Sequence, residues 1–216
     1  MNRLEMHTAF RVFGQQMGMQ KIRTILPEEI DYFINATIDE KVRQVIASNT
    51  ITQFNDKVSI QQNAISPINY IRTLYVEKLL ENNTGSPVTL DTKDVMYYLS
   101  FSICTSGTRY HKCRLIEPNE LEATLDDYCS SASLDYPIIT LYKDEIGDYL
   151  ADVYTDKERD ANLAFNLKVK YIKNPSKLSE DNPTGCDLPE YTHNEIVQLA
   201  VQKYFISVGS TTNNVN

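Results

Sequence analysis

From residue 163 to residue 171 apolar and polar side chains alternate, Leu163, Phe165, Leu167, Val169 and Tyr171 against Asn166, Lys168 and Lys170. A period of two belongs to a strand with one buried face, so this segment must sit in a sheet whose inner side meets a core. On both sides of it the period changes to that of a helix. Pro27 suits a first helical turn and Glu28 and Glu29 complement the positive end of its dipole. Ile30, Phe33, Ile34, Ile38, Val42, Val45 and Ile46 then mark one stripe of a helix over 27–47. Its other face, with Asp31, Asn35, Asp39, Lys41, Arg43 and Gln44, is expected to meet solvent or a polar neighbour. Near the far end, Asp187 and Glu190 read as a capping box, and His193, Ile196, Val197, Ala200 and Tyr204 form the stripe of a closing helix over 187–205.

Between these landmarks the signals are shorter. Leu4, Phe10, Phe13 and Met17 predict an opening helix, and Ser66-Pro67 a short one ending near Arg72. Residues 49–66 show no clear period. Strands are expected over 74–80 and 95–104, with turn chemistry at 84–87, and Ser106-Gly107 reverses the second of them into a strand over 109–116. A short acidic helix follows from Pro118 to about Tyr128, then a hairpin of 138–142 with 148–154. Residues 173–186 hold two prolines and a glycine and read as a loop. The last residues carry almost no apolar content to offset their ordering. The order of helices, strands and a final helix predicts an α+β fold: N-terminal helices, a central antiparallel β-rich region with a short helix, a C-terminal helix and a mobile tail. It is read as one domain over 1–205, helical to 73, β-rich over 74–172, with a flexible tail over 206–216.

The chain has 216 residues and a net charge of −8. It has neither a dense Lys/Arg run nor an apolar run long enough to span a bilayer, which disfavours a nucleic-acid-binding module and a membrane protein and predicts a cytosolic or particle-bound one. Cys104, Cys113, Cys129 and Cys186 are too sparse for a disulfide scaffold and are expected as free thiols. Seven glycines write no phosphate-binding loop, and His7, His111 and His193 lie in no known catalytic arrangement. Cys104, His111 and Cys113 could cluster around a metal if the strand register brought them together, although small core or edge residues are the simpler reading. His193 reads as a packed or hydrogen-bonded histidine. The carboxylate pairs Asp126-Asp127 and Glu28-Glu29 read as solvated surface. Fourteen tyrosines and no tryptophan suit half-buried sheets and interfaces alike.

The succession of an opening helix, LPEEIDYFINATIDEKV at 26–42, VMYYLSFSI at 95–103 with its hairpin, VKYIKNPSKL at 169–178, and CDLPEYTHNEIVQLAVQKYF at 186–205 resembles the head-to-tail adaptor and neck ring proteins of short-tailed bacteriophages, in particular crAss-like phages of gut Bacteroidales. The most specific part is a strand ending Tyr-x-x-x-Pro followed by a helix beginning Leu-Pro-Glu and containing His-x-Glu-Ile-Val. The resemblance implies a structural subunit with no catalytic residue, metal or cofactor, present as about twelve copies in a ring of the virion neck after assembly in the host cytoplasm. Its partners would be further copies of itself, the portal protein, and adjacent neck ring or tail proteins, with packaged DNA passing through the lumen without sequence-specific contact. An acidic lumen would repel the phosphate backbone and let it slide. Segments reaching a neighbouring ring match 49–66 and 204–216, with Tyr204, Phe205, Ile206 and Val208 as candidate interface residues. The alternatives are an unrecognised thiol- or metal-dependent hydrolase using Cys104, His111 and Cys113, and a monomeric soluble binding module.

Overall fold

The computed structural model describes residues 1–18, 25–54, 67–82, 85–90, 94–105, 109–157, 164–183 and 185–212. It bears out the α+β fold class, with helices first and last and strands between. The chain divides into two compact units, Met1–Leu74 with Pro175–Asn216, and Tyr75–Asn174, where the sequence reading has a single domain. The physical reason is that the apolar stripes of the helices satisfy one another while the strands close on a core of their own. Each unit thereby buries its own faces. No helix among the described residues is long and apolar enough to cross a membrane.

In the first unit, α1 (Arg3–Gln16), α2 (Pro27–Phe54) and α4 (Glu190–Thr212) pack against one another, and a 3₁₀ helix (Pro67–Leu74) lies on α2. The α2 stripe holds as read: Ile30, Ile34, Ile38, Val42 and Val45 are buried. So does that of α4, where Ile196, Val197, Ala200 and Val201 are buried. The α1 stripe is met at Phe10 and departs from the expectation at its ends. Met6 and Phe10 are buried while Leu4 and Met17 are exposed. What fixes the α1 rotation is polar: Arg3 donates to both oxygens of Asp31 through Nε and Nη2, and the His7 Nε2–H donates to Asp31 Oδ1 at 2.7 Å. Positions 3 and 7 are one helical turn apart, so both reach the same carboxylate. Asp31, on the face expected to meet solvent or a polar neighbour, meets the polar neighbours and is buried. Asn2 and Glu5 close a capping box at the start of α1 that the sequence reading did not identify.

The loop before α4 is pinned by side chains that imitate backbone. Asn35 donates to the Leu178 carbonyl at 2.9 Å and accepts from the Leu178 N–H at 2.8 Å. Asp187 does not cap α4, which starts at Glu190; its carboxylate accepts from the N–H and hydroxyl of Ser176 instead. Gly185 has φ +105°, and a Cβ there would run into the Met1 carbonyl oxygen. His193 is buried and hydrogen-bonded, as read: its Nε2–H donates to the Leu188 carbonyl at 2.8 Å, and Nδ1 accepts from the Met1 amine at 2.8 Å. Burial pushes this imidazole below its ordinary pKa. The helix continues to Thr212, past the expected boundary at 205, because each added residue of a nucleated helix gains a backbone bond. Residues 213–216 of the expected tail lie outside the described residues, as do 55–66 and the reversal at Ser106-Gly107.

The second unit is a sandwich of two four-stranded sheets. One has the order β1 (Tyr75–Asn82), β8 (Phe165–Lys173), β3 (Val95–Cys104), β4 (His111–Lys112), antiparallel throughout. The other runs β2 (Val88–Leu90), β7 (Tyr149–Tyr154), β6 (Ile138–Lys143), β5 (Arg114–Leu115), and its β5–β6 pair is parallel, a departure from the antiparallel expectation. The alternating segment is β8, central in its sheet, with Phe165, Leu167 and Val169 facing the other sheet's Ile139, Ala151 and Val153 in one core. Its outward lysines, Lys168 and Lys170, flank Glu77 of β1 at 3.1 and 3.4 Å. The expected strand over 109–116 breaks at Cys113, where the chain leaves one sheet for the other. The short acidic helix is α3 (Leu121–Asp126). The β6–β7 hairpin turns on Asp144, whose Oδ1 accepts from the N–H groups of Ile146 and Asp148, with Gly147 at φ +96°.

Two outcomes test this account. Val197→Asp places a charge at a position with 0% exposure and is expected to destabilise the first unit by about 3 kcal/mol or more, read as a lowered thermal midpoint. Burial raises the Asp31 carboxyl, but the hydrogen bonds from Arg3 and His7 outweigh it and hold its pKa below the ordinary value. The unfolded chain therefore takes up this proton first on acidification. The stability linked to it is present above the ordinary carboxylate range and is lost as pH falls through the folded pKa. Asp31→Asn should cost about 1–3 kcal/mol at neutral pH, and the gap to wild type should close in strong acid, measured by circular dichroism melts across pH.

Candidate partner interface

The four residues expected to meet a partner do not share one side of α4. A helix turns about 100° per residue, so Tyr204 and Val208, four apart, lie on one face, Phe205, three before Val208, flanks that face, and Ile206 points away from it. Tyr204 is half-buried between two rings, edge to face with Phe10 of α1 at 6.0 Å and with Phe33 of α2 at 5.3 Å. Phe205 is half-buried as well. Ile206 is 71% exposed and Val208 45%.

Around Tyr204 and Val208 the first unit forms a concavity of about 460 Å³, whose other walls are Glu28, Glu29, Tyr32, Phe33 and Ser207. Tyr32 stacks edge-on against Phe33 at 5.4 Å and is itself 68% exposed. Burial raises the Tyr204 phenol above its ordinary pKa, and the negative charge of Glu29 adds to this. The site is thus aromatic at its base and acidic at its rim. Glu28 and Glu29, read as plain solvated surface, supply that rim. Tyr32, Phe33 and the two glutamates were absent from the expected set. Their signal was the juxtaposition of Tyr-Phe with Pro-Glu-Glu in one predicted helix turn and the next.

Ion pairs hold the two helices that carry the surface. Lys203 of α4 pairs with Glu40 of α2, and Lys41 of α2 reaches Glu195 of α4 at 2.6 Å while the Tyr70 hydroxyl donates to the second Glu195 oxygen at 3.0 Å. The hydrogen bond from Lys41, with that from Tyr70, holds the Glu195 carboxyl below its ordinary pKa against the effect of burial. With α2 and α4 so tied, the concavity is a preformed surface, and a partner that meets it has little ordering cost to cover on this side.

The candidate thiol and metal residues are placed differently. His111 sits opposite Ile103 in the β3–β4 pair and its Nδ1 lies 3.3 Å from Asp135. Cys113 is buried at the sheet switch, where burial pushes its thiol up to about 12, against the small opposing effect of a backbone hydrogen bond. Such a thiol is not a nucleophile at neutral pH. Cys104 faces Asn166 across the β3–β8 pair. Among the described residues no group of three His, Cys, Asp or Glu side chains is placed to hold a metal ion. Asp127, of the other carboxylate pair, accepts from Ser130 and the Cys129 N–H, which lowers its pKa and closes a turn.

The split of the four residues has a measurable consequence. Tyr204→Ala should lower the melting stability of the first unit by about 1–3 kcal/mol, because it removes two ring contacts. Ile206→Asp, at a side chain 71% exposed, should change it by less than about 0.5 kcal/mol. No protein-family model matches the chain, and the search of curated proteins returned no match.

Proposed function

We propose that the protein is a structural subunit of a virion neck, about twelve copies of which form a ring that joins head to tail in a short-tailed phage and encloses the channel for packaged DNA. The observation that carries this reading is the preformed concavity of the first unit, aromatic at its base and acidic at its rim, borne on two helices tied by Lys203–Glu40 and Lys41–Glu195. A rigid surface of this kind suits a protein partner that brings cations and apolar side chains. In the neck that partner is the portal protein or the next ring or tail protein, seated axially against the end of α4. Each copy adds a net charge of −8, and a channel framed by such subunits repels a phosphate backbone and lets it slide. The succession of helices, strands and closing helix agrees with the segments that carry the resemblance.

Mass photometry of the purified chain over a range of concentrations, with imaging of the large species, tests the reading. Closed rings of about a dozen subunits are expected. A chain that stays monomeric at every concentration, and also in the presence of portal-bearing capsids, overturns it. Glu28→Lys with Glu29→Lys should leave ring size unchanged and weaken attachment of the ring to its axial partner, because the reversed rim repels the cations it now attracts.

A further inference from the structure

Among the described residues, two tyrosine rings are each joined to a glutamate by a lysine. In the first unit Lys41 lies 5.6 Å from the centre of the Tyr70 ring and 2.6 Å from Glu195. In the second, Lys168 lies 4.3 Å over Tyr110 and 3.1 Å from Glu77. Each cation thereby meets the electron-rich face of a ring and a carboxylate together.

The concavity around Tyr204 has the ring and the carboxylates of such a group without its cation. Glu28 and Glu29 precede Tyr32 by four and three positions, and side chains on a helix lean toward its N-terminus, so the Tyr32 ring is carried alongside both. Among the described residues no basic group forms an ion pair with either glutamate. Arg3, which feels the charge of Glu28, has its guanidinium committed to Asp31. The helix itself does not neutralise the rim, because the positive end of its dipole amounts to roughly half a charge against the two that the glutamates carry. Burial and the charge of Glu29 raise the Tyr204 phenol, so the negative potential reaches the floor. Tyr32 is exposed and open to a ligand.

Chemistry narrows the occupant. A hard divalent ion takes about six oxygen ligands, which an aromatic floor does not supply. Among the described residues no three potential ligands are placed to hold a metal. A flat, weakly hydrated organic cation fits better, since it stacks on a ring and turns its N–H groups to carboxylates. In each of the two internal groups the lysine over the ring meets one glutamate. Here two glutamates border one ring, and a guanidinium, with its donors in a fixed fork, can engage both, whereas an ammonium is a compact point charge. The volume of about 460 Å³ is that of a small-ligand pocket and exceeds a single side chain, so an apolar neighbour of the cation has room over Phe33.

We infer that the concavity is an arginine receptor: one arginine of the axial partner lays its guanidinium on Tyr32, donates to Glu28 and Glu29, and brings an apolar neighbour over Phe33. This rests on the reading of the concavity as the seat of a protein partner and names the residue that partner has to present. Tyr32 sets the specificity, because carboxylates alone accept any cation.

The probe is acetyl-leucyl-arginine amide, titrated into the full isotope-labelled chain and followed by nuclear magnetic resonance. Its lysine and citrulline counterparts are the comparisons, citrulline keeping the shape of arginine without the charge. The arginine probe should shift amides of 28–33 and 204–208 saturably and bind about threefold or more tighter than the lysine probe, and the citrulline probe should leave those amides in place. Tyr32→Ala, and Glu28→Gln with Glu29→Gln, each checked for an unchanged melting midpoint, should weaken the arginine probe by about fivefold or more. A lysine or citrulline probe that matches arginine, shifts confined to other residues, or variants that bind like wild type overturn the inference. Rings that form while the arginine probe finds no site also overturn it and leave the ring reading standing. A chain that binds the probe at this site yet stays monomeric with portal-bearing capsids overturns the ring reading and keeps the receptor.

Discussion

The first unit is organised around a buried carboxylate. Taking Asp31 out of water is unfavourable unless its oxygens are satisfied, and among the described residues Arg3 and His7 of α1, brought across α2, satisfy them. That requirement rotates α1 so that Met6 and Phe10, next round the helix, enter the core. Phe10 then supplies one of the two rings on which Tyr204 rests, and Phe33, two positions beyond Asp31, supplies the other. The surface proposed to meet a partner is thus downstream of a charge pairing some distance from it in sequence. A change at Asp31 would reach that surface through packing, with no contact of its own to the partner.

In the second unit the governing constraint is the accounting of backbone hydrogen bonds. Each strand must find a neighbour or face water, and the chain between β3 and β6 serves two sheets in turn, with Cys113 as the residue that changes sides. Sharing one short strand between sheets closes the sandwich at that corner. Among the described residues β3 pairs with β8 from Val95 to Cys104, and with β4 at Ser102 and Ile103. Arg114, just past the switch, directs its Nη2 to the carbonyls of Ser130 and Ser131 and so ties the loop after α3 to the same corner.

Strong periodicity was legible and weak periodicity was not. The α2 and α4 stripes and the alternation of β8 each repeat over several turns or pleats, and burial follows them closely. The single strand expected over 109–116 could not reveal its break, because two residues in each sheet are too few to show a period. The α1 stripe held at Phe10 and failed at Leu4 because the Arg3 and His7 pairing outranks Leu4 in choosing the buried face, and a hydrophobic pattern carries no information about which charges will find each other. Asp187 followed by Glu190 satisfied a capping pattern, yet Ser176 offered that carboxylate two donors from a loop that the sequence could not place beside it. Of the expected interface, helical spacing alone separates Tyr204 and Val208 from Ile206, and that spacing was available from the start. Glu28, Glu29 and Tyr32 required the fold, since α2 and α4 are far apart along the chain.

The surface of the first unit combines an apolar floor with a charged edge. The acidic rim over Tyr32 and Tyr204 would select a protein partner by charge, and the rings beneath it would supply the apolar contact. Exposed charge contacts are screened within roughly 10 Å at about 0.1 M salt, whereas apolar contacts are screened far less. A partner held there by both would lose its charge selection as salt rises before it lost its apolar contact.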